Sequence, residues 1–172
     1  MLFAVRILNI SVLLLGMTGG AMAQQNIAQD EKKDRAAIEQ TLERFLDAWN
    51  KHDAGAVART FTEEADLTNV AGMHAHGRAQ VETFHAPLFA GMFSETHQTA
   101  QIRSIRFLTS DLAAVDVDWQ MTGAKSPDGS PRPHRKGLLD WVMAKQANGS
   151  WLIEIMHNTD TTDFKIAPPA AK

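Results

Sequence analysis

Between Asp34 and Lys51 the apolar side chains Ile38, Leu42, Phe45, Leu46 and Trp49 recur at the spacing of one stripe on a 3.6-residue period. Glu39, Gln40, Glu43, Arg44 and Asp47 fill the opposite side. This pattern predicts an amphipathic helix. Asp53 is suited to cap a second, shorter helix that carries Val57 and Phe61 on one side. Leu67 to Val70 reads as a short extended segment, and Gly72 as a turn. A third helix is expected after Gly77, with Val81, Phe84, Leu88 and Met92 as its buried stripe. Pro87 lies inside it and is expected to kink or end it, because proline lacks the backbone donor and crowds the preceding turn.

After Glu95 the period changes from 3.6 to two. Ile102 to Leu108 predicts a strand, Asp111-Leu112 a turn, and Ala114 to Thr122 a returning strand. In the latter Val115, Val117, Trp119 and Met121 alternate with Asp116, Asp118 and Gln120, the mark of a half-buried strand. Ser126 to His134, rich in proline, predicts a long loop. Gly137 to Lys145 and Trp151 to Asn158 predict two further strands, joined at Asn148-Gly149 by a hairpin turn. Helices first and an antiparallel meander afterwards predict an α+β domain whose sheet curls around the helical layer.

The ends of the chain read differently. Arg6, the apolar run Ile7 to Leu15, the helix-breaking Gly16 to Gly20 and the small-x-small triplet Ala21-Met22-Ala23 have the pattern of an export leader cleaved after Ala23. An uncleaved anchor is the alternative, but the run is short of the roughly 20 residues a bilayer span needs. The expected organisation is thus a leader over 1–23, a loose polar segment over 24–33, the folded domain over 34–164 and a flexible tail over 165–172. The mature protein is expected to be periplasmic or secreted, without membrane insertion. Cysteine is absent, which excludes disulfides, thiolate nucleophiles and cysteine metal sites. A net charge of −3 argues against nucleic acid as a partner, because phosphate neutralisation dominates that affinity.

Several stretches together resemble the SgcJ/EcaC group of SnoaL-like proteins, within the nuclear-transport-factor-2-like superfamily. They are Ala48-Trp49-Asn50-Lys51-His52-Asp53, Phe61-Thr62-Glu63-Glu64-Ala65-Asp66, Asn69-Val70-Ala71-Gly72, Gly77-Arg78, Phe84-His85-Ala86-Pro87-Leu88-Phe89 and Met156-His157-Asn158-Thr159. The resemblance runs from about Ala37 to Thr159. It implies a cone-shaped barrel, with three N-terminal helices on a curved, mostly antiparallel sheet around a deep cavity, and a homodimer formed through the outer sheet face. The superfamily includes isomerases, cyclases, dehydratases and epoxide hydrolases beside inert binding modules, so the fold leaves function open.

The candidate residues follow. His157 is the first choice for acid/base chemistry: alternation places it on the side of Trp151, Ile153 and Ile155, toward the helices. His85, on the third helix, would approach the same cavity, and two histidines there could serve as acid and base. The structural alternative is a buried, hydrogen-bonded histidine for His157 and a polar residue at a helix end for His85. Asn69 is a candidate donor to a substrate carbonyl or a turn-former. Arg103 either enters the pocket or pairs with an acidic strand neighbour. Trp49, Phe61 and Trp119 are ligand platforms or core. Trp141 is core or part of a dimer face. Arg132, His134, Arg135 and Lys136 read as a solvated basic loop.

His74-x-His76 would place two rings on one side of a strand, but a zinc site needs three or four ligands. Only His85 and His97 offer themselves for completion, so no metal is expected. Nor is any cofactor expected, since no dinucleotide or phosphate loop is present. Tyrosine is absent, which excludes a tyrosine-based oxyanion hole. The reading that results is an exported protein with a pocket for a small hydrophobic molecule. It either acts on that molecule by histidine-assisted chemistry or serves as a non-catalytic dimeric module of the envelope.

Overall fold

The computed structural model of the chain describes residues 16–162, with side chains from residue 28 onward. The apolar run of the leader and the tail Ile166 to Lys172 lie outside the described residues. Three helices, α1 (Gly16–Asn50), α2 (Ala54–Ala58) and α3 (Arg78–Ala90), combine with six strands. These are β1 (Phe61–Thr68), β2 (His74–His76), β3 (His97–Phe107), β4 (Leu112–Thr122), β5 (Arg135–Lys145) and β6 (Trp151–Asp160). The strands form one sheet in the order β2-β1-β6-β5-β4-β3. Every pairing is antiparallel except β1 with β6. The α+β expectation holds: helices pack on one face of a curved, six-stranded sheet.

α1 starts earlier than the hydrophobic stripe. Gly16 to Gly20 and the stretch Gln24 to Lys33, expected to break and to be loose, are both helical. Gln24 to Lys33 contains no Gly or Pro and several good helix formers, and Lys33 pairs with Asp30 at 3.5 Å. Among the residues described with side chains, burial begins at Asp34, where the helix meets the sheet. From there Ile38, Leu42, Phe45 and Trp49 are buried, as the stripe predicts. Asp34 accepts the indole N–H of Trp151 at 3.0 Å and pairs with Lys145 at 2.7 Å, which fixes the helix to β5 and β6. The buried Thr41 hydroxyl adds a bond to the Trp151 carbonyl at 2.6 Å.

The end of α1 is a Schellman turn. His52 N–H donates to the Trp49 carbonyl, Asp53 N–H donates to the Ala48 carbonyl, and His52 takes the left-handed conformation with φ 54°. Asp53 then caps α2 by accepting Ala56 N–H at 2.8 Å. Phe61, expected on the second helix, is the first residue of β1 and is fully buried. α2 is too short to reach it: Arg59 and Thr60 already bond as a closing turn.

α3 continues past Pro87 to Ala90, because Pro87 lies on the exposed side and forfeits one backbone bond there. Its buried stripe is Val81, His85 and Phe89, with Phe84 and Leu88 half-buried beside it. That is one residue out of phase with the expected stripe, because a histidine occupies a core position. Trp141 is buried in the core against Phe45, at 5.6 Å between ring centroids, and so does not serve a dimer face.

A bulge in β6 decides where its side chains point. Met143 pairs with Ile153 and Val142 with Ile155, so Glu154 is an extra residue with no partner on β5. Before the bulge Trp151 and Ile153 face inward; after it Met156 and Asn158 do. The alternation has changed phase.

Candidate functional site

Between α1, α3 and the inner faces of β4, β5 and β6 lies a cavity of about 220 Å³, partly open to solvent. Its walls are mainly apolar: Phe45, Trp49, Phe84, Leu88, Phe93, Trp119 and Leu139 contribute. The β1–β2 turn, Asn69 to Met73, forms part of its rim. The polar side chains that reach it are Asn69, His85, Gln98, Arg132, Arg135 and Asn158. Among the described residues no carboxylate lines it.

His85 is held on the wall by its own helix. Nδ1 lies 2.8 Å from the Val81 carbonyl, which can only accept, so Nδ1 carries the proton and Nε2 keeps its lone pair. Rings of Trp49, Phe84 and Phe89 surround it at 5.8, 5.3 and 5.7 Å. Burial among these rings, only partly offset by the Val81 bond, pushes its pKa down to about 4. His85 is therefore a neutral acceptor at pH 7.

His157, the first candidate by sequence, is on the other face. It is exposed and lies opposite Asp140 on the outside of the sheet, because the extra residue Glu154 reverses the alternation that pointed it inward. Its neighbour Asn158 takes the cavity position instead, accepting the Trp119 indole N–H at 2.9 Å. Arg103 is also outside: it is the unpaired residue of a second bulge, between Ile102 and Ser104, and its Nε donates to Asp118 at 3.0 Å. Phe61 is core, packed against Phe45 at 6.5 Å between centroids, and does not line the cavity.

Trp49, Trp119 and Asn69 are at the cavity. Asn69 Oδ1 accepts Ala71 and Met73 N–H, both at 2.9 Å, and so shapes the turn. Its amide NH₂ has no hydrogen-bond partner among the described residues. The Trp49 indole N–H and the Gln98 Oε1 are buried without a partner among the described residues, and both residues line the cavity. Asn50, next to Trp49, clips Gln98 in place: its side chain donates to the Gln98 carbonyl at 2.9 Å and accepts Gln98 N–H at 2.8 Å.

Arg135 corrects the reading of a solvated basic loop. It is 5% exposed, pairs with Asp160 at 2.6 Å, and its guanidinium lies 5.8 Å from the Phe93 ring and 5.7 Å from that of Trp119. The signal was present in the sequence: extending the alternation Leu139, Trp141, Met143 backward through Gly137 puts Arg135 inside. Arg132 is exposed at the cavity edge.

A SnoaL-like domain family model matches residues 42–142. Among curated proteins none matches the sequence. The fold is similar to that of a cystatin-like domain of unknown function from Nostoc punctiforme, with 26% identity, TM-score 0.67, and 77% of this chain and 79% of that one covered. It is also similar to a hexachlorocyclohexane dehydrochlorinase (LinA, type 2), at 17% identity and TM-score 0.68 over 84% and 99% of the two chains. A scytalone dehydratase-like protein from Novosphingobium aromaticivorans aligns at 16% identity and TM-score 0.67, again over 84% and 99%. At the last two identities what is shared is the fold.

Proposed function

The chain belongs to the SnoaL-like domain family, and on that premise we propose that it binds a small, largely apolar organic molecule whose polar end meets Asn69, His85 and Asn158. The observation that carries this reading is the cavity itself: aromatic and aliphatic walls, with a few polar groups not fully used by the protein. Its volume of about 220 Å³ exceeds the roughly 150 Å³ that holds a benzene molecule in a dry engineered cavity, so it has room for a guest larger than one ring. Trp49 and Trp119 form walls and leave the space open.

Turnover is the second reading, and the fixed tautomer of His85 favours it. An unprotonated Nε2 can take a proton from the guest, as in an isomerisation or dehydration without a cofactor. A base with a pKa of about 4 is weak at pH 7, however, and among the described residues no carboxylate lines the cavity to balance an imidazolium. The negative charge that compensates it must develop on the guest itself, for example as an enolate. Arg132 at the edge of the same space favours such an anion, whereas the charge of Arg135 is already met by Asp160.

Thermal-shift measurement of the purified protein against a panel of hydrophobic carbonyl and hydroxyl compounds tests the binding reading. A stabilising compound is expected for the wild type and none for Leu88→Trp, which fills the cavity. No stabilisation of the wild type, or the same stabilisation in the variant, overturns it.

The finer parts of the reading are membership of the SgcJ/EcaC group, export after cleavage behind Ala23, and pairing of two copies through the outer sheet face. The quoted sequence stretches support the first and the leader pattern the second. Half-buried Leu138 and Val142 on the outer face of β5 support the third. N-terminal sequencing of the exported protein and light scattering across a dilution series test the last two. Among the described residues no helix is long and apolar enough to cross a membrane.

A further inference from the structure

We propose that Asp66, His74 and His76 form a site for one divalent transition-metal ion of the zinc class on the outer face of the β1–β2 hairpin. The register creates it. Asp66 on β1 lies directly opposite His76 on β2, and Thr68 opposite His74, so all four side chains share one face. Asp66 Oδ1 is 2.8 Å from His76 Nδ1 and 3.3 Å from His74 Nε2. One ligand atom from each of the three residues falls within 4.8 Å of the others.

That spacing suits the metal. With bonds of about 2.0–2.1 Å, two ligands of a tetrahedral zinc ion stand about 3.3 Å apart. The Asp66–His74 pair is already at that distance. The Asp66–His76 pair is a hydrogen bond that opens by about half an ångström as the ion replaces its proton. Two imidazoles and a carboxylate suit Zn²⁺, Ni²⁺ or Co²⁺ better than Mg²⁺ or Ca²⁺. Three protein ligands leave at least one position for water.

The outer partners are also in place. His76 would bind through Nδ1, and its Nε2 lies 3.7 Å from Glu64 Oε2. His74 would bind through Nε2, and its Nδ1 lies 3.5 Å from the Thr68 hydroxyl. Each ring thus has an acceptor-capable group near the N–H opposite the metal, which a small side-chain movement would bring into hydrogen-bond range to set the tautomer a ligand needs. By sequence the candidates for a third ligand are His85 and His97. His85 is buried in the cavity and His97 is on β3, at the opposite edge of the sheet from β2. The third ligand comes from β1 instead. The ion would tie together the two strands that carry the Asn69 to Met73 rim of the cavity.

The test uses the full chain without a polyhistidine tag. Titration calorimetry with ZnCl₂ and with NiCl₂ is expected to show one equivalent bound, with a rise in melting temperature. His76→Ala and, separately, Asp66→Asn are expected to weaken binding by at least ~10–100-fold, whereas His97→Ala leaves it unchanged. Anomalous scattering from a zinc-soaked crystal should place the ion between the three side chains. Absence of binding by the wild type overturns the site, as does undiminished binding by folded Asp66→Asn, which alters charge with little change in shape. The readout is metal alone, independent of any guest in the cavity.

Discussion

His85 and His76 are the same side chain in opposite surroundings. His85 lies inside the cone, ringed by Trp49, Phe84 and Phe89, and burial drives its pKa down to about 4. His76 lies outside on a two-strand ladder, where a hydrogen bond with Asp66, then the charges of Asp66 and Glu64, hold it above the usual histidine range. The first is a neutral acceptor at the cavity wall, and the second is held toward its cationic form beside a carboxylate. Neither role belongs to histidine as such. The face of the sheet or helix that carries the ring assigns it.

The largest expected effect comes from closing the inner wall. A Cβ on Gly137 would stand 1.9 Å from the Thr159 carbonyl oxygen and 2.7 Å from the Trp119 indole, so Gly137→Ala has to displace β6 or that ring. Denaturant unfolding is expected to show a loss of about 3 kcal/mol or more, with the melting temperature lowered.

Next comes the acid profile of His85. Its folded pKa is below the unfolded value, so the unfolded chain binds the proton first as pH falls. The stability tied to its neutrality is complete above about pH 6.5 and drains away between there and pH 4. The shift from 6.5 to about 4 amounts to roughly 3 kcal/mol at most. Stability measured between pH 7 and 4 in His85→Gln should lose that slope. An unchanged slope would break the contrast between the two histidines.

A smaller effect is expected from Trp119→Phe, which removes the indole N–H that fixes Asn158 at 2.9 Å. The cost is about 1 kcal/mol of stability. Guest affinity should fall as well, read by the same thermal-shift panel.

The smallest belongs to the outer site. Asp66→Asn is expected to lower the melting temperature of the metal-free protein only slightly, because the pair is exposed, while the His76 titration, followed by NMR, drops toward the ordinary histidine range. If His76 titrates identically in both proteins, Asp66 is not its partner in solution.

What could be read from the sequence was whatever depends on neighbours along one element. The stripe Ile38, Leu42, Phe45, Trp49 and the alternation of β4 each carry their own period, and the Asn148-Gly149 turn, with Gly149 at φ 83°, sits between two such runs. α3 was harder, since a buried histidine breaks a hydrophobic template by one position. Pairing between distant strands left no local trace. Arg103 and Glu154 become bulge residues only because β4 and β5 run past them, and Asp66 meets His76 only through the β1–β2 register. Trp49 and Asn69 could be named because they belong to the recognised stretches. Asn158 belongs to one of those stretches too, but unbroken alternation along the strand points its neighbour His157 inward and hides the place of Asn158.

The supernumerary Glu154 has a reach beyond its own strand. Deleting it would close the bulge without moving the register on either side, because Ile153 and Ile155 already pair with consecutive residues of β5, so His157 stays outside and Asn158 stays in the hollow. What β6 would lose is the local bend and twist that an extra residue brings to a strand. In this scaffold one added residue can curve a strand while the groups it presents to the hollow stay the same, so the shape of the wall and its chemistry can vary separately.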